Sequence, residues 1–210
     1  MGASAILRRR LLWGLVAVAA LPGCAGAPAR LYVLTPLPPS AASGAGSGLG
    51  GRIIGVPQVT IPEYLDRPEI VSFTGPFELS ANRDDRWAEP LAANVTRVLT
   101  ENLSVLLGTD GVRSAPSLVD ERIDYEVTVA FERFERAASG DSVLDAHWAV
   151  RDGTTRKTLV RDRARLATPV PGNGYPSLVA AMNDNLTVLS RDIAAAIARL
   201  PRKGGARAGA

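Results

Sequence analysis

The chain of 210 residues has one cysteine, one histidine and only 5% aromatic residues. One cysteine excludes an internal disulfide framework. With a lone histidine beside it, a Cys/His zinc site is excluded too, and any Ser–His–Asp triad would have to use His147. No P-loop, dinucleotide fingerprint, H-E-x-x-H helix or G-x-S-x-G elbow occurs. The nearest glycine-rich run, Gly44 to Gly48, lacks a lysine and a following helix and reads as linker. A basic face is also missing, although the formal charge is +3. Arg8, Arg9 and Arg10 precede residue 24, and Arg199, Arg202, Lys203 and Arg207 stand at the other end. Residues 24–198 keep 17 basic against 21 acidic groups. That balance gives no stripe to neutralise phosphates, so no nucleic-acid partner is expected. Metal, cofactor and catalysis are likewise not expected.

What is present begins with Arg8–Arg10 followed by an apolar run from Leu11 to Leu21. The run is well short of the roughly twenty residues that span a bilayer, and its form is that of an export signal. It ends in Leu21-Pro22-Gly23-Cys24, which resembles the lipobox of bacterial lipoproteins. Residues 1–23 therefore read as a lipoprotein signal peptide and Cys24 as the lipidated residue. Ala25 and Gly26 follow with no Asp beside the cysteine, the pattern of outer-membrane sorting in Gram-negative lipoproteins. One acyl chain anchors weakly, whereas a multiply acylated terminus holds persistently. Residues 24–51 read as a lipidated start, a first short strand over Leu31–Thr35, and an Ala/Pro/Gly/Ser-rich loop over 38–51.

A single domain is expected over 52–200, with 201–210 a basic tail. Ile53–Val56 and Val59–Ile61 read as a strand interrupted at Pro57, and 69–73 and 77–79 as strands around Gly75-Pro76. Residues 87–107 turn helical, with Leu91, Val95, Val98, Leu99, Asn102, Leu103 and Leu106 on one stripe and Gly108 as the stop. Ile123, Tyr125, Val127, Val129 and Phe131 alternate with Asp124, Glu126, Thr128 and Glu132. Leu144, Ala146, Trp148 and Val150 form the apolar face of the next strand. Asp152-Gly153 marks a hairpin, and 155–167 a third strand whose outer row is Arg161, Arg163 and Arg165. That row reads as cross-strand pairing with acidic neighbours. Leu178, Met182, Leu186, Leu189, Ile193, Ile197 and Leu200 define a last helix over 175–200. The expected fold is α/β of the α+β kind, an antiparallel-rich sheet with two amphipathic helices on one face.

Three segments are too particular for scaffold alone. Leu31-Tyr32-Val33-Leu34-Thr35-Pro36 is one, and Pro62-Glu63-Tyr64-Leu65-Asp66-Arg67-Pro68 another. The third, Arg86-Trp87-Ala88-Glu89-Pro90-Leu91, is expected to open the first helix with Glu89 in its first turn. Tyr64, Arg67, Arg86 and Trp87 are the candidate contacts with a partner or a second copy. Two structural alternatives stand beside that reading: Arg67 could pair with Asp66 or Glu69, and Trp87 could be a core plug. His147, near Asp145, reads as an exposed strand histidine, and Asp84-Asp85 and Asp120-Glu121 as solvated turn carboxylates.

Taken in order, these segments resemble the ABC-type transport auxiliary lipoproteins of the paraquat-inducible protein C type, over nearly all of the mature chain. The resemblance implies a periplasm-facing outer-membrane lipoprotein. It would dock an MCE-family tunnel protein that works with an inner-membrane permease in intermembrane phospholipid transport, and a ring-shaped homo-oligomer is part of the same implication. It brings no catalytic residues. The alternative is a structural lipoprotein assisting assembly of another envelope complex.

Overall fold

The computed structural model describes residues 28–41, 51–115 and 122–200. Cys24, the signal segment, most of the 38–51 loop and the 201–210 tail lie outside these residues. The elements in chain order are β1 (Arg30–Tyr32), β2 (Ile54–Val56), β3 (Glu69–Phe73), β4 (Leu79–Trp87), α1 (Leu91–Leu107), β5 (Val112–Ser114), β6 (Tyr125–Arg136), β7 (Ser142–Asp152), β8 (Thr158–Thr168) and α2 (Tyr175–Ala198).

All eight strands form one mixed sheet. The long pairings, β6 with β7, β7 with β8 and β3 with β4, are antiparallel. The short ones, β1 with β4, β2 with β5 and β6, and β3 with β6, are parallel. β7 covers one edge of β6 along nearly its whole length. The other edge is shared: β2 pairs at Tyr125, Thr60 bridges to Ala130, and β3 pairs at Arg136.

Alternation decides which side chains meet the helices. Val127, Val129 and Phe131 of β6 and Leu144, Ala146, Trp148 and Val150 of β7 are buried, as their period of two predicts. A bulge between Phe131 and Arg133 then shifts the β6 register and turns Phe134 into the core, 5.4 Å from Phe131 between ring centroids. Both helices lay their apolar stripes on this face, and every expected stripe residue from Leu91 to Leu106 is buried. Asn102 sits on that stripe because it has partners: its amide donates to Ser190 Oγ of α2 at 3.0 Å and its oxygen accepts Leu37 N–H at 2.7 Å. Gly108 ends α1 in the left-handed conformation at φ 59°, with Thr109 N–H returning to Ser104 O.

Three expectations need correcting. α1 starts at Leu91, and Arg86 and Trp87 end a nine-residue strand. Pro90 disfavours helical geometry at Glu89, so the helix cannot begin earlier. β4 is too polar to show an alternating signature and was expected only over 77–79. Second, Asp85 is fully buried on β4 instead of solvated in a turn. Third, β8 begins at Thr158, because Asp152 Oδ1 accepts the N–H groups of Thr154 and Thr155 and holds residues 153–157 as a loop with Arg156 at φ 61°.

Gly153 is required by close approach: a Cβ there would stand 2.1 Å from Ile123 O. Gly153→Ala is expected to destabilise the domain by about 1–3 kcal/mol in urea unfolding. Gly75→Ala, whose Cβ would meet nothing nearer than Glu78 Cβ at 4.0 Å, is expected to stay within about 0.5 kcal/mol of the parent.

Candidate interaction site

The three motif segments converge at the β1–β4 edge of the sheet. Tyr32 lies beside Trp87 in the β1–β4 register, and Tyr32 O accepts Ala88 N–H at 2.8 Å. Trp87 N–H donates to Pro68 O at 2.7 Å. Between residues 66–68 and 87–90 this leaves a notch of about 390 Å³, walled by Pro68, Trp87 and Pro90 and rimmed by Asp66, Arg67 and Glu89.

Two carboxylates brace the notch. Glu89 receives Arg97 Nη2 at 2.9 Å and the Asn94 amide. The same Asn94 accepts Leu34 N–H at 3.0 Å, and Arg97 donates to Leu34 O at 3.2 Å, so the first turns of α1 clamp the chain leaving β1. The hydrogen bond that Arg97 donates to Glu89 raises the Arg97 pKa above its ordinary value. Asp85 accepts Arg30 Nη2 at 2.7 Å, Tyr32 OH at 2.9 Å and Asn82 Nδ2 at 2.8 Å. A buried carboxylate with three donors is compensated for its lost hydration.

The 62–68 loop is stiffened by its own bonds, Leu65 N–H to Pro62 O at 2.9 Å and Asp66 N–H to Glu63 O at 3.1 Å. Leu65 is buried in the core. Tyr64 stands edge-on to Phe73 at 6.1 Å, and its hydroxyl donates to buried Glu135 at 3.0 Å, with Glu132 O at 3.3 Å. Burial first, then the Glu135 charge, pushes the Tyr64 phenol above its ordinary value. Arg67 donates to Glu69 at 3.2 Å, the internal pairing left open from sequence.

Of the four candidate contacts, Arg67 and Trp87 line one notch, whereas Tyr64 and Arg86 do not. Trp87 is only 6% exposed and belongs to the core, while also lining the notch. His147 is exposed on the sheet face away from the helices, with Nε2 4.0 Å from Glu132. On that face Arg163 grips Asp145 through two bonds of 2.7 Å and holds its carboxyl below the usual range.

Sequence reasoning missed a groove of about 630 Å³ on the same face, whose lining includes Gln58, Thr60, Glu126, His147, Arg151 and Arg161. Glu126 faces that side as its alternation predicts, but it is buried, bound by Arg156, with Arg151 at 4.0 Å, because the 57–60 segment and the 153–157 loop lie near it. Pro57 was the available signal, since it forces the edge segment off the β6 ladder.

A family model described as the ABC-type transport auxiliary lipoprotein component matches residues 32–194. The intermembrane transport lipoprotein PqiC of Escherichia coli K12 is 28% identical over 152 residues, covering 72% of this chain and 78% of that protein. PqiC of Shigella flexneri matches equally. Among solved structures, an uncharacterized protein shares the fold at a TM-score of 0.67 and 20% identity, covering 81% of this chain and 99% of that one. Protein XCC0632 from Xanthomonas campestris does so at 0.65 and 17%, with 81% and 96% covered.

Tyr64 yields a prediction with a defined sign. Its phenolate is disfavoured in the folded state, so the native chain holds that proton more tightly than the unfolded one. The contribution is full below about pH 10 and declines as pH rises beyond it. Tyr64→Phe is expected to lower stability at neutral pH by about 1 kcal/mol. The gap from the parent should narrow above about pH 10 in denaturant melts taken across pH.

Proposed function

The chain belongs to the ABC-type transport auxiliary lipoprotein component family, and we propose that it serves as the outer-membrane docking element of an intermembrane phospholipid transport system. Acylated Cys24 holds it on the periplasmic face of the membrane. The folded domain grips an MCE-family tunnel protein that is supplied by an inner-membrane permease, and assembly as a ring of copies belongs to the same reading. The observation that carries it is the extent of the family match. Residues 32–194 run from β1 into α2 and include every segment that builds the notch. The name of the PqiC relatives, intermembrane transport lipoprotein, supports the same process.

The notch suits docking by its chemistry. Trp87 and two prolines give it a stiff apolar lining, and Arg67 is a residue type enriched where binding energy concentrates. Because the loop is braced before a partner arrives, little ordering entropy is lost on contact.

Metabolic labelling with palmitate tests the anchor: the parent chain is expected to carry label and Cys24→Ser to carry none. Label on both, or on neither, would remove the anchor from the proposal.

Docking is tested by capture of the MCE-type protein from detergent-solubilised envelope on the purified chain. Arg67 is half-exposed, so Arg67→Ala should keep the parent's circular dichroism melt while weakening capture about tenfold, a change of about 1.4 kcal/mol. Unchanged capture would take the notch out of the interface.

A further inference from the structure

The β3–β4 hairpin ends in a side chain that the fold leaves in water. Phe73 pairs with Leu79, and the loop between them is closed by Thr74 N–H donating to Glu78 O at 3.0 Å. At its tip Phe77 is 98% exposed, and Leu79 beside it is 42% exposed. Single exposed apolar side chains are ordinary, and what sets Phe77 apart is where its braced turn points.

Topology says which way that turn points. β3, β6 and β8 run in the same direction, so the hairpin tip shares one end of the sheet with the 137–141 turn and the 169–174 connection. These two loops and residues 74–78 carry only two charged side chains, Glu78 and Asp141. Arg136 is drawn onto the backbone here, donating to the carbonyls of Gly172 and Gly174. The start of β1 points back to the same end. β1 is parallel to β4, with Arg30 beside Asp85, so going back from Arg30 the strand direction leads toward Leu79. Cys24 stands six residues before Arg30, and Leu79 stands six before Asp85. At about 3.3 Å per residue either interval spans about 20 Å, which brings a lipid on Cys24 within reach of the level of the hairpin tip.

We infer that the β3–β4 hairpin is a second membrane contact: Phe77, with Leu79 behind it, enters the interfacial region of the lipid surface to which Cys24 is attached. This rests on the anchor reading above. Aromatic and leucine side chains suit that depth, and one inserted ring beside an acylated terminus that already holds the chain fixes how the domain is oriented on the surface. Since the only charges on the three loops are acidic, the contact takes neutral phospholipid and gains nothing from anionic headgroups.

The test places an environment-sensitive NBD dye on Thr74→Cys in the full lipidated chain, where acylation leaves no other thiol. The protein is bound to phosphatidylcholine vesicles with or without nitroxide-labelled lipid. A blue shift with quenching at position 74 is expected, abolished by Phe77→Asp and absent for a dye on Leu159→Cys at the opposite end of the sheet. Dye at 74 that stays in water, or quenching that survives Phe77→Asp, would overturn the inference. So would a shift already present before vesicles are added with sedimentation showing an oligomer, which would assign the hairpin to contacts between copies. Flotation of unlabelled parent with the vesicles reads the anchor separately. If the parent fails to float, the anchor reading falls, and the same dye pair is read on chain held to nickel-chelating vesicles by a hexahistidine segment in place of residues 1–24. There, quenching that depends on Phe77 upholds the hairpin contact, and its absence overturns it.

Discussion

A strand has two edges, and β6 must divide one of its own among three partners. Between Thr60 beside Ala130 and Ser72 beside Arg136, the edge segment has twelve residue steps where β6 has six. The surplus must leave the ladder, and it leaves as the 62–68 loop. Backbone groups of β6 stranded by that departure still need partners, because buried peptide groups without them are costly. The loop returns side chains to do this work. Tyr64 OH reaches Glu132 O, and Glu135, held by Tyr64 and by Arg133 at 2.8 Å, accepts Phe134 N–H at 2.8 Å. The bulge at 131–133 falls within the same stretch, as if ladder and register failed together.

That arrangement accounts for the notch. Once the loop has left β6, its last carbonyl, that of Pro68, is free to take Trp87 N–H from β4, which sets the distance between the two walls. Glu89 and Asp85 then work on opposite sides of Trp87. One fixes the start of α1 and the other fixes β1, so the indole is caught between a helix and an edge strand. Its burial is a consequence of these polar bonds as much as of its own apolar area.

The parts of this fold legible in sequence were those with a period. Both helices, the β6–β7–β8 meander and the stop at Gly108 follow from spacing that packing merely ratifies. β4 was not legible. Its run Leu79 to Trp87 contains Asn82, Arg83, Asp84, Asp85 and Arg86, and it is a strand because β3 and β1 pair with it, not because its side chains alternate. The same cause hid Asp85. A carboxylate is buried only when donors surround it, and its donors Arg30 and Tyr32 lie more than fifty residues away. Arg67 was legible as a choice between pairing and contact; the structure supplies the pairing with Glu69 and leaves the guanidinium on the notch rim.

The parallel junction of β1 with β4 has a mechanical side. Tension from the N-terminal direction runs along the axis of β1, so its bonds to β4 are loaded in shear, all together, instead of being peeled one after another. Past Tyr32 the load meets Asn94 at Leu34, Asn183 at Thr35 and Asn102 at Leu37, which distributes it over both helices. A three-residue strand is thus stitched at intervals into every layer of the domain. Pulled from the side on which an anchor would sit, it yields only when sheet and helices yield with it.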